Sequence, residues 1–131
     1  SEAIDFCRFY PLTMGEFESL PNVSVKEKGV VLVISPWNFP LAIPVGGVSS
    51  ALSGGNRVIL KPATVSAPVA WEFAKAFWDA GVPREALQVV ICDGREGLNL
   101  LTKSPIVKHT ILTGGTDTAQ QILKNNPQTP L

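Results

Sequence analysis

Charge of one sign is what this sequence most plainly lacks. Eleven Lys and Arg stand against eleven Asp and Glu, for a formal net charge of zero over 131 residues. A balanced chain gives no electrostatic reason to seek a polyanion, so neither nucleic acid nor an anionic membrane surface is an expected partner. Long apolar runs are missing too. None approaches the roughly 20 residues that a bilayer core requires, and Ser1-Glu2-Ala3-Ile4-Asp5 has neither the basic residues nor the apolar stretch of a secretory signal. Cysteine is scarce: Cys7 and Cys92 are far apart and lack the spacing of a metal site or a redox pair. No metal is expected, and a reduced, cytoplasmic setting fits. His109, the only histidine, belongs to no pattern that would give it a role. The Gly-x-Gly-x-x-Gly fingerprint is absent as well; Gly46-Gly47 and Gly54-Gly55 fit neither it nor a P-loop.

What is present is apolar and periodic. Hydrophobic residues make up 45% and charged residues 17%, enough to build the core of one domain and too apolar for disorder. Ala3, Phe6, Cys7 and Tyr10 recur at helical spacing over 2–10, with Cys7 on the inward face, and the stretch from Pro11 to Pro21 reads as a connector. A short strand is expected at Val23 to Val25. Val30 to Ile34 is a continuous β-branched run, the mark of a strand buried on both faces. Small residues from Ala42 to Ser53 predict a helix ended by Gly54-Gly55-Asn56, and Arg57 to Leu60 is the next strand. Ser66 opens a helix whose inward stripe reads as Val69, Phe73, Ala76, Phe77 and Ala80, closed by Gly81 and Pro83. Leu87 to Cys92 is a third strand. Asp93 and Glu96 match a capping box for a helix to about Lys103. Thr110 to Thr113 is a fourth strand, and Thr116 to Asn125 a final helix. Strands that alternate with helices and are not themselves alternating predict an α/β fold with a doubly wound, mainly parallel sheet.

Parallel strands bring their carboxyl ends to one edge, where such sheets bind ligands. The residues there are chemically distinctive. The first strand ends in Ser35-Pro36-Trp37-Asn38-Phe39-Pro40, with Asn38 held between two prolines that restrict the backbone. The second ends in Lys61 and Thr64, the third in Asp93 and Gly94, the fourth in Gly114, Gly115 and Thr116. A dinucleotide could lie along this edge with helix-start N–H groups facing its phosphates. Each residue also has a plainer reading. Asn38 could satisfy local turn backbone, Lys61 could be a solvated strand-end lysine, Gly114-Gly115 could be a tight turn, and Trp37 could pack. Cys92 reads as a small buried hydrophobe rather than a nucleophile.

Several of these segments, in this order, resemble the aldehyde dehydrogenase superfamily over nearly the whole chain. Pro36-Trp37-Asn38-Phe39-Pro40 is similar to the turn whose Asn amide holds the oxyanion in that family. Ile59-Leu60-Lys61-Pro62-Ala63 is similar to the strand whose Lys bonds the adenosine ribose, and Leu112-Thr113-Gly114-Gly115-Thr116-Asp117 to the motif that opens a helix at the pyrophosphate. Ala80-Gly81-Val82-Pro83 with Leu87-Gln88-Val89-Val90 matches a further segment. The lead helix resembles the pyrroline-5-carboxylate dehydrogenase branch, some of whose members are fused to proline dehydrogenase. The resemblance implies a partial NAD(P)-binding domain over 1–131 with a lead helix at 1–10. Asn38 would be catalytic, and Ser35, Pro36, Trp37, Lys61, Thr64, Gly94, Gly114 and Gly115 would bind NAD or NADP. It further implies an aldehyde substrate, such as glutamate semialdehyde, and a homo-oligomeric parent whose remaining chain completes the enzyme.

The departures are equally specific. The family's nucleophilic Cys and its Glu-x-Gly-Gly-Lys segment are absent, so this chain alone is expected to be inactive. Thr64 stands where many members carry a ribose-gripping Glu, and Gly115 replaces a Ser. A non-catalytic α/β ligand-binding or interaction module is the alternative on the same scaffold.

Overall fold

In the computed structural model, which describes residues 1–92 and 94–131, the strands β1 (Val30–Ile34), β2 (Arg57–Lys61), β3 (Leu87–Val89) and β4 (Val107–Leu112) form one sheet in the order β3-β2-β1-β4, and every pair is parallel. Side chains alternate across β1. Val31 and Val33 face one core with α2 (Ala42–Ser53) and α3 (Ala67–Asp79), while Leu32 and Ile34 face a second with α4 (Glu96–Lys103) and α5 (Thr116–Asn125). Helices therefore cover both faces, and the sheet is doubly wound as expected. The order has a direct consequence. The crossovers from β1 to β2 and from β2 to β3 step one way, and the next returns past β1 to β4. The topological switch point lies between the carboxyl ends of β1 and β4.

The lead helix α1 (Glu2–Ser19) runs straight through Pro11, where the sequence implied a connector. A proline inside a helix forfeits one backbone hydrogen bond and costs about 3 kcal/mol. Packing on both sides of it offsets that loss. Before Pro11, the Phe6 ring lies so close to Gly46 of α2 that a Cβ there would meet it at 3.1 Å; after it, the Met14 methyl reaches Gly54. Cys7, expected in the core, is exposed. Its sulfur edges a groove of about 410 Å³ between α1 and α2, where desolvation pushes the thiol above its ordinary pKa.

Other boundaries also move. Val23 to Val25 are exposed and form no strand, having no neighbour with which to pair. The inward face of α3 is Ala70, Phe73, Ala74 and half-buried Phe77, whereas Val69, Ala76 and Ala80 are exposed. The two stripes share Phe73 and Phe77, and the alanine face permits closer approach to the sheet. Ser66 precedes α3 without a side-chain cap, behind a 3₁₀ turn at Thr64–Ser66. β3 ends at Val89, because the chain must then cross the carboxyl edge to reach α4 on the opposite face. β4 begins three residues early. An irregularity in the ladder leaves Lys108 exposed, so that Val107 and Thr110 both face the α4–α5 side. Asp93, with the capping box assigned to it, lies outside the described residues. Among the described residues no helix is long and apolar enough to cross a membrane.

The amino-terminal edge is locked by one side chain. Asn56 Oδ1 accepts from the N–H groups of Lys28 (2.7 Å) and Gly29 (3.1 Å), and its Nδ2 donates to the carbonyls of Ala51 (2.9 Å) and Gly54 (3.3 Å). These bonds tie the entry to β1 to the end of α2, beside Gly55 in the left-handed region at φ 77°. Asn56→Ala removes all four and is expected to destabilise the fold by about 2–4 kcal/mol. Urea unfolding of the two proteins measures this, and a loss under about 0.5 kcal/mol, the range of an ordinary surface change, would deny Asn56 that role.

Candidate active site

The four strand ends meet in one cavity of about 390 Å³. Ser35, Pro36 and Trp37 enter it from β1, Lys61 and Thr64 from β2, Gly94 from the connection after β3, and Gly114 and Gly115 from β4. Leu98 of α4 and Thr118 of α5 close the side. All eight residues that the sequence offered for cofactor contact are thus neighbours here, at the switch point. The backbone around them is tied strand to strand. Ser35 N–H donates to Lys61 O (3.2 Å), Ala63 N–H donates to Ser35 O (3.1 Å), and Thr113 N–H donates to Ile34 O (3.0 Å). Rigid placement of a small number of polar groups in a concave site is what a ligand pocket requires.

Three features mark the cavity as unfinished. The Ser35 hydroxyl is buried and has no hydrogen-bond partner among the described residues, although buried polar atoms nearly always find one. Lys61 is only 6% exposed, which excludes the solvated-lysine reading. Its ammonium donates to Pro62 O at 3.2 Å, and among the described residues no carboxylate lines the cavity. A buried cation is costly unless oxygens surround it, and a ligand oxygen would add to the single carbonyl found among the described residues. The glycines are bare without being demanded by the backbone. Gly115 has φ −73°, and a Cβ on Gly94 or Gly115 would meet nothing within 4 Å. Gly94 faces the cavity just before α4 and Gly115 at the start of α5, and a tight turn needing positive φ is not what Gly115 provides.

Asn38 lies next door. It lines an adjoining hollow of about 280 Å³ whose wall is shared with the first cavity at Pro36, Trp37, Thr113, Gly114 and Gly115. The residue is exposed, and its amide makes no hydrogen bond among the described residues, so it does not serve the turn it sits in. Trp37 is 69% exposed, Phe39 58% and Leu41 43%; Trp37 borders the cavity without packing into the core. Neither cysteine reaches this region's lining. Cys92 is half-buried with its sulfur against Gly97, where any side chain would collide with it. Among the described residues no group of three or more His, Cys, Asp or Glu could hold a metal.

Sequence reasoning offered Ser35 for cofactor contact but did not foresee the burial of its hydroxyl. A serine before proline carries no local signal of burial; the sign is its place at the end of a fully buried strand. On the expectation that this cavity takes a dinucleotide, Ser35→Ala should leave folding unchanged or slightly improved, since it deletes a hydroxyl without a partner among the described residues, and should weaken the cofactor by about 0.5–1.5 kcal/mol. Thermal melts with and without NAD read both signs. A variant that loses stability yet keeps its cofactor affinity would show that the hydroxyl serves the fold.

Comparison with known proteins places this geometry. The aldehyde dehydrogenase family model matches residues 3–130. A 1-pyrroline-5-carboxylate dehydrogenase of Geobacillus thermodenitrificans is 36% identical over 132 residues, which covers 93% of this chain and 26% of that relative. The structure of proline utilization A from Corynebacterium freiburgense superposes with a TM-score of 0.90 at 34% identity, over 98% of this chain and 13% of the other. An NAD-dependent aldehyde dehydrogenase from Sinorhizobium meliloti superposes with a TM-score of 0.80 at 26% identity, over 97% of this chain and 28% of that one. The chain therefore spans about a quarter, or less, of the relatives it matches.

Proposed function

Because the chain belongs to the aldehyde dehydrogenase family, we propose that it is the cofactor-binding part of a larger NAD(P)-dependent enzyme that oxidises an aldehyde to a carboxylic acid. Glutamate semialdehyde is the substrate that similarity to 1-pyrroline-5-carboxylate dehydrogenase favours. The observation that carries the reading is the single cavity at the switch point, with Ser35, Lys61 and the bare Gly114-Gly115 backbone converging beside Asn38.

The residues present fit a dinucleotide. The N–H groups at the start of α5 suit its phosphates, the Lys61 ammonium and the Ser35 hydroxyl suit ribose or phosphate oxygens, and Thr64 sits at the rim. The cofactor, when bound, supplies the hydride acceptor. Asn38 has a different task. Its free Nδ2 would donate to the oxygen of the aldehyde as negative charge develops there, a role that needs an unengaged amide on a rigid turn. The nucleophilic thiol and the base that activates water would come from the rest of the parent chain. The exposed Trp37, Phe39 and Leu41 around Asn38 suit a face that another part of the parent covers. A non-catalytic module on this scaffold would have no use for that unengaged amide.

The complete protein, assayed with glutamate semialdehyde and either NAD or NADP, is expected to reduce the cofactor and release glutamate, while the 131-residue chain alone should not. Cofactor reduction by the isolated chain that disappears in Cys92→Ser would make Cys92 the nucleophile. A complete protein that binds cofactor but oxidises no aldehyde would instead establish the binding module.

A further inference from the structure

The α4 and α5 helices both begin at the cavity, with Leu98 near the start of one and Thr118 near the start of the other. Near the cavity their shared interior is apolar, built on Leu98 and Ile122. Farther away it is polar. Asn125 Nδ2 donates to Asn99 Oδ1 at 2.7 Å across 26 residues of sequence, and Asn126 Nδ2 donates to the carbonyl of Thr102 at 2.8 Å. Asn99 and Asn125 are both half-buried, so water competes poorly for either amide. Apolar contacts are non-directional and let helices slide or rock. The amide bridge has one geometry, and Asn99 directly follows the cavity residue Leu98.

We propose that Asn99 and Asn125 are positioning residues that fix the separation of α4 and α5, and through Leu98 and Thr118 the width of the cofactor cavity. The inference rests on the functional reading above. Neither residue would touch the cofactor or the reacting atoms. Loosening the bridge would let the cavity sample widths that do not grip the ligand, and affinity would fall by the fraction of time spent there. Chemistry at saturating cofactor would be untouched, because Asn38 lies on the β1 turn, outside both helices.

The test uses the fact that an Asn–Asp pair can form the same bond. An asparagine can turn its amide so that nitrogen faces a carboxylate. Asn99→Asp and Asn125→Asp, each alone, therefore keep the bridge, whereas the double variant sets two carboxylates against each other. In the complete protein, each single variant is expected to bind NAD within about twofold of the parent protein, and the double about tenfold more weakly, a coupling typical of contacting pairs. Its kcat at saturating NAD should match the parent's. Additive single effects, or a double variant with lowered Tm but unchanged Kd, would overturn the inference and leave the bridge a structural tie. Should the double variant not fold, Asn125→Ala removes the bond without adding charge, and is expected to weaken NAD about fivefold by the same coupling; unchanged affinity there also overturns it. Failure of the parent protein to bind NAD or NADP would sink the functional reading and this inference together, whereas binding by the parent with no coupling sinks the inference alone.

Discussion

Asn38→Ala in the complete protein is expected to lower kcat by two to three orders of magnitude, about 2.7–4 kcal/mol of lost transition-state stabilisation, while cofactor affinity barely moves. The expectation rests on two observations. The amide is unengaged by the fold, since no hydrogen bond among the described residues uses it, and it lines a hollow beside the switch-point cavity rather than the cavity itself. A donor so placed gains strength only when charge appears on the substrate oxygen, so its removal acts on the chemical step. The variant should fold normally, because the residue is exposed and its neighbours Pro36 and Pro40 set the turn. Pre-steady-state cofactor reduction separates the step from binding. A steep loss of cofactor affinity with kcat preserved would make Asn38 a cofactor or structural residue, and the oxyanion assignment would fall.

The route from sequence to this site was direct where the signal was local. Val30 to Ile34 is apolar at every position, and only a strand with cores on both faces accommodates that; the strand end then had to lie at the sheet's ligand edge. The helix bounds at Ala42–Ser53 and Thr116–Asn125 followed from Gly and small-residue punctuation and match those observed. What the sequence hid was decided at long range. Pro11 signals a break, yet Phe6 and Met14 grip α2 on either side of it. The face of α3 was ambiguous because two alanine-rich stripes differ little in hydrophobicity, and the distance between helix and sheet chose between them. Lys61 was offered for the cofactor, but a strand-end lysine gives no sign of its burial, which emerges only when β3, β2 and β1 are assembled. Asn99 and Asn125 had no signal at all: polar residues on two helices meet only through tertiary packing.

Thr64→Glu is expected to move cofactor preference in the complete protein towards NAD, changing the ratio of kcat/KM for NAD over NADP by about tenfold to a hundredfold. Thr64 stands at the rim of the cavity, exposed, at the start of the 3₁₀ turn that follows β2. As a threonine it offers one hydroxyl and no charge, and can face either a ribose hydroxyl or a 2′-phosphate. Lys61 lines the same strand end and supplies a positive partner for either group, so we infer that the parent accepts both cofactors. A glutamate at position 64 changes the balance in two ways. It accepts hydrogen bonds from the 2′- and 3′-hydroxyls of NAD, and it sets a carboxylate against the 2′-phosphate of NADP. Two unit charges about 4 Å apart interact by about 4 kcal/mol near a protein surface. Exposure at the rim and salt reduce that, so the shift should shrink as ionic strength rises. Stability should change little, because the site is exposed and Thr64 has no side-chain bond to lose among the described residues. The measurement is kcat/KM for both cofactors, in both proteins, at two salt concentrations. An unchanged ratio would mean that this loop does not face the adenosine ribose, and the placing of Lys61 and Thr64 on the cofactor would have to be withdrawn.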